Sequence, residues 1–261
     1  MPMPPTDPAT LVALCGFALL AGFVDAVGGG GGLVQVPALL VLLPQQPVAT
    51  LFGTNKLASI FGTSGAAWRY ARGITLPWPS LLPAIAAALA GAWLGARLVS
   101  HLNPTLLKPV ILALLVLALT VTLARPQLGR VHAPRLSPRT AALASLGVGF
   151  GLGFYDGFFG PGTGSFLILS FVAVFGFSFL AASAYAKLVN VSTNLAALVY
   201  FIPHGDWLPT VALPMAACNL AGSFLGSHLA IRHGSGFVRA VFLLVVAALI
   251  LRLGGELLRG A

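Results

Sequence analysis

Apolar runs follow one another along the whole chain, separated by turn residues or by bases. Five fall in the first half, at about residues 9–27, 33–43, 47–71, 77–100 and 104–124. Five more fall in the second, at about 140–158, 165–177, 179–203, 208–231 and 236–257. Four runs of each set have the roughly 20 residues that a helix needs to cross a hydrocarbon core. The second run of each set is shorter. Residues 33–43 make about 16 Å of helix, half of a core about 30 Å thick. A glycine-rich stretch precedes that run and Pro44 ends it, so a half-helix or re-entrant element is expected. The short alternation of a membrane β-barrel is absent. The pattern predicts an all-α, polytopic integral membrane protein with about 8–10 hydrophobic segments. These form two pseudo-symmetric halves, each with a broken, Gly-rich segment.

Composition strengthens this reading. Charged residues are 7% of the chain, against about 25% in soluble domains, too few to cover a water-facing surface. The net charge of +9 comes from bases scattered between apolar runs. That is the pattern of positive-inside topology, and no nucleic-acid partner is expected. Cys15 and Cys218 stand in apolar runs without a CxxC or Cys/His cluster, so they read as small core hydrophobes. No cofactor and no metal is implied. The start, MPMPPTDPAT, lacks the basic region of a signal peptide, so the first apolar run is expected to stay as a membrane segment.

The chain also repeats itself. GFVDAVGGGGGLVQVPALL from Gly22 and GTNKLASIFGTSG from Gly53 return as GFYDGFFGPGTGSFLILSF from Gly153 and AYAKLVNVSTNLA from Ala184. Asp25 and Asp156, Lys56 and Lys187, Pro83 and Pro214, Gly91 and Gly222, Gly95 and Gly226 are each offset by 131. Duplication of a half-transporter accounts for rare residues kept in step. It divides the chain into a first membrane repeat (1–124), a basic linker (125–139) placed in the cytoplasm, and a second membrane repeat (140–261). Inverted repeats would bring both broken segments to one centre. The distribution of bases fits inverted and parallel repeats equally, so the choice stays open.

The repeated polar residues carry the candidate chemistry. Lys56 lies about 13.5 Å into its helix at helical rise, near the middle of the core, and Lys187 lies at similar depth. A charge there costs at least about 2.5 kcal/mol and marks a pathway by default. Lys56 shares a face with Ser59 and Thr63, and Lys187 with Asn190 and Asn194, at i+3 and i+7. Asn55 stands beside Lys56. A cation heading a stripe of hydroxyls and amides suits a small anionic solute. The glycine loops, with Gly29, Gly30 and Gly31 in one copy and Gly162, Thr163 and Gly164 in the other, each feed a short helix. Converging N–H groups and a positive helix end make an anion cradle. Gln35 is a further candidate for the lining. Asp25 and Asp156, just before the loops, are candidates for proton coupling. A competing reading makes each lysine a permanent aspartate partner that only locks helices together. Glycines at Gly91, Gly95, Gly222 and Gly226 are expected to permit close helix crossing.

One string points to another class. Gly62-Thr63-Ser64-Gly65 is a GxSG inside a membrane helix, as in rhomboid intramembrane proteases. Such an enzyme needs a histidine base near Ser64, and His101, His204 and His228 are placed at helix ends, in a loop or on a distant helix. The chain is read as a non-enzyme, with an intramembrane serine protease as the low alternative.

The doubled motif, GFVDAVGGGGGLVQVPALL with GTNKL and GFYDGFFGPGTGSF with AKLVN, resembles the sulfite exporter TauE/SafE family. It is most similar to the bacterial branch called probable membrane transporters, from about Leu11 to Leu258. The resemblance implies a multi-pass protein of the bacterial inner membrane with about eight membrane segments. It also implies transport, often outward, of sulfite, sulfonates or related organosulfur anions. Lys56 and Lys187 would attract the anion, and one half would rock against the other for alternating access. An anion channel or uptake permease of the same fold is the alternative.

Overall fold

The computed structural model describes residues 7–75, 78–98, 112–113, 116, 119–120, 122–124 and 129–259, with the side chains of 249, 252, 253 and 256–259 excluded. The run expected at 104–124, with Lys108, and His101 lie wholly or mostly outside the described residues. Among the described residues the secondary structure is helical throughout. The helices are α1 (Pro8–Gly28), α2 (Gly32–Leu42), α3 (Val48–Gly73), α4 (Trp78–Arg97), α5 (Pro138–Phe158), α6 (Thr163–Ala173), α7 (Phe179–Phe201) and α8 (Pro209–Arg259). Gly234, at φ 71° and ψ −165°, breaks α8 into two arms, matching the two runs seen in sequence. The chain is an all-α polytopic membrane protein. Four of its described helices, α1, α4, α5 and the stretch Pro209–Ala248 of α8, are long and apolar enough to span a bilayer.

Local chemistry sets the helix starts. Asp7 accepts from the Thr10 N–H, Ser137 from Thr140 and Ser178 from Ala181, which satisfies otherwise orphaned donors. Pro8 and Pro138 occupy first-turn positions where the missing N–H costs nothing. α2 and α6 have 11 residues each, about 16 Å. α6 stops at Ala173, earlier than the sequence suggests, because Gly176 turns the chain at φ 79°.

The ends of the helices fix their directions. α3 begins where α7 ends and α8 starts: Thr50 Oγ1 donates to Asp206 Oδ1 at 3.4 Å and the Leu208 N–H donates to Thr54 Oγ1 at 2.9 Å. We call this the Asp206 face. α4 follows α3 after a short connection and starts at the opposite face. There Pro79 and Ser80 share an apolar hollow with Pro134, Leu136 and Phe175, and Ala133 and Arg135 donate to the carbonyls of Gly176 and Phe175. This is the linker face. α4 and the first arm of α8, partners in the sequence repeat, therefore run in opposite directions. The repeats are inverted.

The broken elements are re-entrant. Leu14 and Ala18 of α1 cluster with Leu39 of α2, Leu51 of α3 and Leu208, so α1 enters from the Asp206 face and α2 returns to it. α5 and α6 do the same from the linker face. The two glycine tips meet, Gly29 against Gly164 and Gly32 against Pro161.

Glycine sets how the halves interlock. A Cβ on Gly22 would strike the Asn219 carbonyl, and on Gly222 and Gly226 those of Leu19 and Phe23. The mirror contacts recur at Gly153 with Ala88, Gly91 with Phe150 and Gly95 with Phe154, each displaced by 131. α1 thus runs parallel to the first arm of α8, and α4 parallel to α5. In this same register Cys15 faces Cys218 closely enough for a thiol hydrogen bond. The two cysteines are neighbours, which their isolation in sequence did not suggest, and both are free thiols.

Candidate functional site

The centre of the molecule is built from α3 and α7, 26 and 23 residues long, together with the two glycine tips. Lys56 Nζ is 2.6 Å from Asp156 Oδ2, and Lys187 Nζ is 2.7 Å from Asp25 Oδ2. Each lysine is held by the aspartate of the other repeat. The two pairs are equivalent under the offset of 131, so one inversion relates the whole four-charge cluster. Pairing is what makes these charges tolerable at this depth.

A small polar cavity of about 30 Å³ lies against the cluster. Lys56, Asn55, Ser59 and Thr63 line it from α3, and Asn190 and Asn194 from α7. Asp25 and Asp156 border it, as do Gly30 and Gly31 of one tip and Gly162, Thr163 and Gly164 of the other. Three expected lining residues lie elsewhere. Lys187 is fully enclosed, at 0% side-chain exposure behind Asp25. Gly29 packs against Gly164 and Ser165, with φ 75° and no room for a Cβ. Gln35 is buried outside the lining, where its Oε1 accepts from Asn219 Nδ2 at 2.8 Å.

The inversion is imperfect where the chemistry is richest. Asn190 Nδ2 reaches Asp156 Oδ2 at 3.4 Å, while its repeat partner, Ser59, has too short a side chain to do the same for Asp25. Asp25 is correspondingly more open, 17% exposed against 3% for Asp156. Asn219, missed in the sequence, lines the cavity from α8. An asparagine inside the apolar run LPMAACNLAGS was a signal, but its repeat partner is Ala88, so the search for duplicated polar residues passed over it. The buried amides of Gln35, Asn55 and Asn194 each keep one end without a protein partner. In a dry interior that is costly, and two of the three, Asn55 and Asn194, border the cavity.

Charge at this site has a net direction. The two lysines and two aspartates cancel. What remains is the positive end of two half-helices, α2 and α6, whose first turns both meet the cavity from opposite sides. Each such terminus acts like roughly half a positive charge. The centre thus offers N–H donors and a partial positive charge to whatever solute enters it. Among the described residues no group of three or more His, Cys, Asp or Glu could hold a metal ion.

The GxSG string has a packing role. Gly62 lies against Asn219 and Gly65 against Leu220 and Ser223, which lets α8 approach α3. His228 pairs with Arg69 and His204 with the Tyr200 carbonyl, so neither is committed to Ser64.

Comparison with known proteins agrees with this architecture. The family described as "Sulfite exporter TauE/SafE" matches residues 14–253. The chain belongs to the TauE/SafE family. "Probable membrane transporter protein ORF9" of Sinorhizobium sp is 37% identical over 90% of this chain and 89% of its own length. "Probable membrane transporter protein YfcA" of Escherichia coli strain K12 is 33% identical over 93% and 89%. A "Probable membrane transporter protein" of Haemophilus influenzae is 34% identical over 87% of each. No solved structure matches the chain. This TauE/SafE protein is a membrane transporter, and the paired charges sit in the middle of it.

Proposed function

We propose that this TauE/SafE protein is a secondary transporter of small oxyanions, exporting sulfite, sulfonates or related sulfur anions across the bacterial inner membrane. The observation that carries the proposal is the crossed pair of Lys–Asp bridges beside a polar cavity onto which two half-helix N-termini converge. Sulfur anions as the class follow from the family description. An anion entering the cavity competes with Asp156 for Lys56, while Asn194, whose Nδ2 has no protein partner, donates to it. A proton taken by Asp156 or Asp25 releases the lysine it holds, which links proton movement to solute movement. The permanent-lock reading accounts for the bridges but leaves the cavity and the unpartnered amides without a role.

Orientation follows from the bases. Arg69, Arg72, Arg130, Arg135, Arg139 and Arg232 lie at the linker face, whereas Arg97, Asp7 and Asp206 lie at the other. The positive-inside rule puts the linker face in the cytoplasm.

The test is thermal stabilisation of purified protein by sulfite, thiosulfate, a short alkanesulfonate and a carboxylate of similar size, with an organic cation as control. A ligand at 100 times its Kd stabilises by about 2.7 kcal/mol, a shift of several degrees. Stabilisation by sulfur oxyanions alone is expected. Stabilisation by the cation, or by none of the anions, contradicts the proposal.

A further inference from the structure

The sequence repeat suggests that one half moves against the other, but the packing divides the molecule differently. Each backbone-to-backbone helix crossing described above joins a helix of one sequence half to a helix of the other. α1 lies on α8 through Gly22, Gly222 and Gly226. α8 also lies on α3 at Gly62 and Gly65, and reaches α2 through the Asn219–Gln35 hydrogen bond. Tyr70 of α3 donates to the Ala26 carbonyl of α1 at 2.8 Å. These four helices form one body. In the other, α4 lies on α5 through Gly91, Gly95 and Gly153, Asn190 of α7 reaches Asp156 of α5, and Tyr185 of α7 hydrogen-bonds Ser80 of α4.

We infer that the moving units in transport are these two composite bundles: α1, α2, α3 and α8 against α4, α5, α6 and α7. The second is made of α4, α5, α6 and α7, which follow one another in the chain. It joins the first at residues 74–77 and 202–208, and Gly205 at φ 75° lies in the latter join. The seam between the bundles holds the cavity. Both ion pairs among the described residues cross it, Lys56 to Asp156 and Lys187 to Asp25. So do two bonds at the glycine tips, from Ser165 to the Gly28 carbonyl and from Ser183 to the Val27 carbonyl.

The physical contrast between seam and bundle supports this division. Separating the sequence halves would tear open close-packed crossings whose contacts have no aqueous substitute. Separating the bundles parts fewer close contacts, chiefly those of α3 with α7, of Phe52 with Phe159 and of Gly29 with Gly164, and the polar contacts it breaks border the cavity, where water or an anion replaces them. The Lys–Asp pairs then act as latches across the moving boundary. A latch opens when its aspartate takes a proton or when its lysine takes a solute.

Spin-label distances test this without knowledge of the substrate. Val41, Leu195 and Leu225 are all exposed and accept labels in a Cys15→Ser, Cys218→Ser background. Val41 and Leu225 belong to different sequence halves but one bundle. Leu195 and Leu225 belong to one sequence half but different bundles. Each pair is measured in lipid nanodiscs with the latches intact and with Asp25→Asn plus Asp156→Asn. The Leu195–Leu225 distance is expected to move by about 5 Å, one helical turn, or to split into two populations, while the Val41–Leu225 distance stays single and unchanged. A shift in Val41–Leu225, or a fixed Leu195–Leu225 distance, overturns the inference. If the double variant loses its fold, seen as loss of any defined Val41–Leu225 distance, Asp156→Asn alone, which leaves the less enclosed lysine unpaired, is read by the same criteria.

Discussion

Lys56 illustrates why a buried charge resists a simple mutational reading. Removing it leaves Asp156 enclosed with only Asn190 beside it. Stranding one member of a buried pair typically costs about 3–5 kcal/mol, so Lys56→Met alone lowers stability as well as any flux. Replacing both members removes the stranded charge. Lys56→Met with Asp156→Asn is therefore expected to recover most of the loss, measured as the thermal midpoint in detergent. If the double variant is as unstable as the single, the bridge is not the main interaction of either group. Asp25→Asn should cost at least as much as Asp156→Asn, because it strands the fully enclosed Lys187, whereas Asp156→Asn strands the slightly exposed Lys56.

At the scale of elements, the tightest constraint is glycine against carbonyl. Gly22 and Gly153 occupy equivalent crossings, so Gly22→Leu and Gly153→Leu should each destabilise, by at least the 1–3 kcal/mol or so typical of overpacking. Gly147 and Gly151 on the same α5 have nothing within 4 Å. Gly151→Ala should leave the thermal midpoint unchanged or raise it, and a large drop would contradict the assigned packing. Much of this level was legible in the sequence. Lys56, Asp156 and the glycine loops announced themselves because rare residues recurred at one offset. The pairing was not legible. Nothing in the order of residues says that Lys56 meets Asp156 rather than Asp25, since that depends on which way each repeat faces. Asn219 escaped because only one copy carries it, and Lys187 was assigned to the lining because depth along a helix does not reveal which neighbour covers it. The adjacency of Cys15 and Cys218 arises from the register of two helices about 200 residues apart.

For the whole molecule, inversion and orientation are separate claims. Inversion follows from the opposite directions of α4 and the first arm of α8. Orientation rests on the bases and is checked by labelling single cysteines in intact cells with a membrane-impermeant thiol reagent, on a Cys15→Ser, Cys218→Ser background. Gly205→Cys, at the Asp206 face, should label from outside, and Val131→Cys, at the linker face, only after the cells are opened. The reverse result would turn the molecule over, and labelling of both from one side would refute the inverted arrangement itself. Cross-paired charges and a centre fed by two half-helices make one anion site shared by both repeats. The most direct test of that site is uptake of radiolabelled sulfite into proteoliposomes by wild-type protein and by Lys56→Met with Asp156→Asn, with folding checked by thermal midpoint. The account predicts saturable uptake by the wild type and at least a tenfold loss in the folded double variant. Undiminished uptake in that variant would contradict it.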